Sequence, residues 1–151
     1  MVVNDYKRFG LMIVVATAVM LGLTYLNTYQ WDHIFFSETR LYMSLIMGST
    51  MAVIMLLFMH KMYTNKRVNI GIITGSILVF VISLWLVRSQ VIVGDLSYMR
   101  AMIPHHSIAI LTSSNAQISD PRVRELADEI IQAQEREIAE MKALIADLES
   151  R

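Results

Sequence analysis

The rhythm of apolar positions changes along the chain. Residues 9–26, 41–59 and 70–87 are three apolar runs without a charged side chain. Each is about long enough to cross a bilayer as a helix, and spans are predicted over about 9–28, 41–62 and 69–88. After residue 90 the pattern becomes amphipathic. Val123, Leu126, Ile130, Ile131, Ile138, Met141, Leu144, Ile145 and Leu148 recur at helical period. Asp120 as N-cap and Pro121 at the first helical position start that helix, predicted to run to 149. A preceding helix is predicted over 95–117. It contains Pro104, which lacks an N–H and crowds the carbonyl of Arg100, so a kink is expected there.

The expected fold class is therefore all-α. A membrane domain, 1–90, with three transmembrane helices precedes an extracytoplasmic antiparallel helical hairpin, 91–151. The segment after the first run, T-Y-L-N-T-Y-Q, offers no small-residue cleavage site, which favours an uncleaved span over a signal peptide. Lys7 and Arg8 precede the first span, and Lys61, Lys66 and Arg67 lie between the second and third. The opposite side has only Arg40 and Arg88. The positive-inside rule puts the N-terminus in the cytoplasm and the hairpin outside, in the periplasm of a double-membrane bacterium. Tyr25, Tyr29, Trp31, Phe35, Phe36 and Tyr42 are expected to form an aromatic belt at headgroup level. Gly48, Ser49 and Ala52 on the second span, and Gly71, Gly75 and Ser76 on the third, would allow close helix approach.

Composition narrows the chemistry. Formal net charge is zero, which gives no argument for a nucleic-acid partner. The absence of cysteine removes disulfides, thiolate zinc sites and iron–sulfur clusters built from this chain alone. The sequence has no Glu-x-x-His pair, no Ser-His-Asp arrangement and no phosphate-binding glycine loop, so no enzyme is expected. Methionine, by contrast, is abundant, at twelve residues. Met43, Met47, Met51, Met55 and Met59 recur at every fourth position of the second span. They wind over roughly 160° of a helix. The plain reading is gap-filling between packed spans; the alternative is a thioether relay for a soft ion.

The densest soft-ligand stretch is D-L-S-Y-M-R-A-M-I-P-H-H, 95–106. Met99, Met102 and His106 follow steps of three and four and share one helix face, with His105 on its flank. Thioether and imidazole suit Cu(I), and by the same chemistry Ag(I). Adjacent histidines diverge by about 100° on a regular helix, so one ring ligates while the other serves elsewhere. If the turn centres near Ile118 and Ser119, Met99 faces the neighbourhood of Ile138 and His106 that of Ile131. That brings Gln134, Glu137 and Met141 to the same region. Asp32-His33 reads most simply as a solvated interfacial pair, and alternatively as an accessory metal ligand with its orienting carboxylate. Arg124–Asp128 and Arg136–Glu140 are spaced for surface pairs.

D-x-x-Y-M-x-x-M-I-P-H-H-S-x-A-I from Asp95 and D-P-R-V-R-x-L-A-D-x-I-I-x-A-Q-x-x-E-I-x-x-M from Asp120 resemble the signature of domain-of-unknown-function family 305. W-D-H-I-F-F-S-E-T-R-L-Y-M and L-V-R-S-Q look like its bacterial three-span version. The resemblance implies a helical, exported or membrane-anchored protein associated with copper or silver handling. It implies metal contacts at Met99, Met102, His105, His106, Gln134, Glu137 and Met141. Tyr98 stands where many members have Phe. A ferritin-like four-helix bundle would arise if the hairpin dimerised, and a homo-oligomer is expected because two helices alone bury little core.

Together these readings give a protein of the bacterial inner membrane whose outer hairpin binds Cu(I) or Ag(I), with zinc as a third candidate, for metal resistance or homeostasis. Its partners would be the lipid bilayer, the metal ion, a second copy, and an efflux or chaperone protein. The alternatives are a component of a transport assembly that uses the methionine stripe, and a non-catalytic adaptor subunit.

Overall fold

The computed structural model describes residues 2–150. In it five α-helices follow one another, without a strand among the described residues. They are α1 (Val2–Leu23), α2 (Glu38–Phe58), α3 (Lys66–Ser89), α4 (Asp95–Asn115) and α5 (Pro121–Glu149). The first three are long and apolar enough to cross a membrane. Their ends are set by local polar groups. α1 stops before the expected residue 28, where the Thr28 hydroxyl donates to the Tyr25 carbonyl (3.1 Å) and closes a turn. The Asn65 side chain accepts from the N–H groups of Arg67 and Val68 and caps α3. Asp120 caps α5 through the Arg122 N–H (2.9 Å), with Pro121 behind it, as the sequence predicts. α4 runs unbroken through Pro104 and ends at Asn115.

The chain divides into two compact units. One contains α1, α3 and all of α2 beyond its first residue. Its core is Phe9, Ala52, Leu56 and Tyr63. The rings of Tyr6 and Phe9 pack on Tyr63 with centroids 5.0 and 5.1 Å away. The Tyr6 hydroxyl donates to Asn69 Oδ1 (2.7 Å) and accepts from the Asn65 N–H (3.1 Å), so α1 is fastened to the start of α3. Gly48, Ser49 and Ala52 are all buried. A Cβ at Gly48 would lie 2.1 Å from Thr17 Oγ1, so only glycine permits this approach of α1 to α2.

The other unit contains α4, α5 and the connection Thr24–Glu38. Its core is Met99, Ile103, Ile110, Ile138 and Ile145, with Ile131, Met141 and Leu148 packed against it. The contacts between α4 and α5 step outward from the link that joins them. Arg124 Nη1 donates to the Ser113 carbonyl (3.1 Å), His106 meets Glu137 (3.0 Å), and Arg100 meets Glu149. His106 thus meets Glu137 rather than a residue beside Ile131. Side chains lean toward their own helix N-terminus. On two helices that fold back on each other, side chains of α4 therefore lean away from the turn and those of α5 toward it, so a residue of α4 meets a residue further along α5 than the one level with its Cα. Arg124 and Asp128 form the expected pair at 2.7 Å. Arg136 and Glu140 form none among the described residues.

The expected aromatic belt divides. Tyr29, Trp31 and Phe36 are exposed, Trp31 at 80%. Phe35 packs instead on the α4–α5 core, and the Tyr25 hydroxyl accepts from the Ser37 N–H (3.0 Å).

Candidate metal centre

α4 and α5 line a cavity of about 550 Å³ with residues from both helices. Met99, Met102 and His106 enter it from α4, and Glu137 and Met141 from α5. Helical spacing puts the first three on one face; the packing of Ile103 and Ile110 against Ile138 and Ile145 brings the last two opposite. Met99 is buried, Met102 and Met141 are half-buried, and Asp95, Glu140 and Asp147 add carboxylates to the lining. Sequence reasoning missed these three, although Asp95 precedes Met99 by four residues and Glu140 follows Glu137 by three. Both spacings follow the face of the candidate donors.

His106 Nδ1 lies 3.0 Å from Glu137 Oε2. The contact is not aligned as a hydrogen bond, so this buried nitrogen has no hydrogen-bond partner. Burial holds the imidazole below its ordinary pKa against the opposing pull of Glu137, and His105 lowers it further. A neutral ring with an orphaned buried nitrogen is costly, and a bound cation would remove that cost. Three thioethers, one imidazole and a nearby carboxylate form a donor set for a soft monovalent ion. Among the described residues no group of three or more His, Asp or Glu side chains is arranged to hold a metal.

Two expected contacts fall outside the cavity. His105 is exposed, its ring 5.8 Å from that of His106 and nearly edge-on to it, as the 100° divergence requires. Gln134 is half-buried and does not line the cavity.

Asp32 is exposed, but His33 beside it is not the solvated interfacial residue read from sequence. His33 is 6% exposed, not solvated. Its Nδ1 lies 3.0 Å from Ser107 Oγ, which also accepts from the Tyr29 N–H (2.7 Å). Asp32 turns to Lys142 of α5 at 2.6 Å and stands 3.9 Å from His33 Nε2. Burial, then Lys142, depress the His33 pKa, while Asp32 opposes them. Serine, histidine and aspartate do meet here, but Ser107 is 0% exposed and accepts a backbone N–H, so no substrate reaches its oxygen. Ser107 fastens the connection to α4 directly after His105 and His106, and Asp32 fastens it to α5.

The methionines of α2 do not converge. Met43 and Met47 are exposed, whereas Met55 and Met59 pack on the core. A cavity of about 680 Å³ lies among α1, α2 and α3, and no methionine lines it.

Residues 95–151 match the model of a family described as a domain of unknown function (DUF305). An uncharacterized protein of Acanthamoeba polyphaga mimivirus is 34% identical over 106 residues, 69% of this chain and 68% of that relative. The chain belongs to the DUF305 family. The DUF305 stretch contains every residue that lines the methionine cavity. The alignment with the mimivirus protein is longer than that stretch, so the likeness extends beyond α4 and α5. No solved structure matches. Neither match indicates an enzyme family.

Proposed function

We propose that this DUF305 chain is a membrane-anchored protein that captures Cu(I) or Ag(I) at the cavity between α4 and α5. The observation that carries the reading is that Met99, Met102 and His106 of α4 and Met141 of α5 line one cavity. Thioethers are neutral at every physiological pH, so they bind a soft cation without competing protons. His106 adds a stronger donor, and Glu137 adjoins it to offset the ion's charge.

α1, α2 and α3 anchor the protein, with the basic end in the cytoplasm and the α4–α5 hairpin outside. The ion is cargo, buffered here and passed to a second copy or to an efflux or chaperone protein.

The test is Cu(I) binding to the full chain in detergent, by chelator competition under reducing conditions. The wild type is expected to bind tightly, and Met102→Leu/His106→Ala to lose at least about tenfold in affinity. The fragment 90–151 is a poor substitute, because it lacks Phe35 and His33, which pack on α4. Equal affinity in wild type and variant defeats the reading.

A further inference from the structure

The cavity among the three spans has a lining and a mouth that specify an occupant. Its wall is apolar, formed by residues such as Phe9, Ile13, Val14, Leu45, Ile72 and Val79. Most of its hydroxyls are already used: Tyr6 donates to Asn69 Oδ1, Thr17 to Ile13 O, Ser44 to Arg40 O and Ser49 to Ile46 O, which leaves Ser76. The groove therefore offers a polar ligand little. Gly10, Gly71 and Gly75 leave it open, since a Cβ at any of them meets no atom within 4 Å.

The mouth is cationic. The Tyr6 hydroxyl joins α1 to the start of α3, so Lys7, Arg8, Lys66 and Arg67 lie at the same end of the unit. All four are exposed, and none forms an ion pair among the described residues. Lys7 precedes Gly10 by three residues and Arg67 precedes Gly71 by four. These steps set both cations one turn beyond the groove, on the faces that line it.

We infer that this groove binds one anionic phospholipid, its acyl chain along Gly10, Gly71 and Gly75 and its phosphate against Lys7 and Arg67. A second copy in the same orientation is disfavoured, because it would bring its own basic end against this one. The inference rests on the three spans lying in a bilayer and is independent of metal binding.

The experiment counts lipid bound to the full chain in detergent by native mass spectrometry. Phosphatidylglycerol and phosphatidylcholine with the same acyl chains are the probes. Each basic residue near an anionic group is worth about fivefold in affinity, so the wild type is expected to prefer phosphatidylglycerol roughly 25-fold. Lys7→Gln/Arg67→Gln should lose most of that preference. Gly75→Leu, which fills the groove, should lose both lipids while circular dichroism and Cu(I) binding stay unchanged. Equal binding of the two lipids overturns the proposal, as does a preference that survives the double substitution. Undiminished lipid binding in Gly75→Leu overturns it too. A Gly75→Leu chain that passes from dimer to monomer would identify the occupant as a second copy instead.

Discussion

Methionine is concentrated in two regions, and the two use it differently. On α2 and the turn that follows it five methionines recur at every fourth position, yet they fan from the exposed surface at Met43 to the core at Met59. On α4 and α5 only three are present, and all three reach one cavity. A step of four drifts around a helix, so a long series on one helix cannot keep a common direction. Two facing helices need no long series, because each supplies one or two donors and the packing brings them together. Convergence is a property of the helix pair rather than of methionine number.

This contrast can be tested through what each region depends on. The largest effect is expected at Ile103, which is fully buried beneath the cavity. Ile103→Ala should cost about 2–5 kcal/mol by chemical denaturation of the full chain. Met47→Leu, at an exposed site, should cost less than about 1.5 kcal/mol. Comparable losses would mean that the two regions do not differ in this way.

The second test is in metal affinity. Met99→Leu/Met102→Leu should weaken Cu(I) binding by about tenfold or more, whereas Met47→Leu/Met51→Leu should leave it unchanged. The reverse outcome would transfer the site to α2.

A third test probes the packing of the span unit. Gly48→Ala forces Thr17 to move, because the added carbon would sit 2.1 Å from its hydroxyl. A loss of about 1–3 kcal/mol is expected, with Cu(I) binding intact. A neutral result would show that α1 and α2 separate without cost.

The smallest effect concerns pH. His33 and His106 are both held below the ordinary histidine value of 6.5, chiefly by burial. The unfolded chain takes up protons near that value, and the folded chain only at lower pH. Stability is therefore complete above pH 6.5 and declines as pH falls below it. The unfolding midpoint should be lower at pH 5.5 than at 7.5, and His33→Asn should narrow the difference. A midpoint independent of pH in the wild type would contradict the burial of both rings. For the same reason, Cu(I) affinity should begin to fall only below the ordinary histidine pKa.

Much of the candidate site was legible before the fold. Met99, Met102 and His106 are related by steps within one helix, and helix geometry alone places them on one face and turns His105 away. The caps at Asp120 and Pro121 and the apolar runs of the spans were legible for the same reason. Each is a local pattern, and short-range backbone and side-chain geometry decides it. Glu137 and Met141 were reached by assuming that α5 folds back on α4, and both do line the cavity. Gln134 does not line it, because the approximate register could not say which turn of α5 faces which turn of α4.

Only tertiary structure decided the rest. His33 and Ser107 are 74 residues apart, and no periodicity relates them. A short aromatic connection next to a span reads as an interfacial loop, yet it is drawn onto α4 and α5 by Phe35, His33 and Asp32. Local pattern was enough for five helices, the cap of α5 and a set of candidate soft donors. The packing of α4, α5 and the first connection determined which donors meet, which histidine is buried, and that the methionines of α2 stay apart. Helix formation is settled within a few residues, whereas a site depends on long-range side-chain contacts that exist only after the chain has folded.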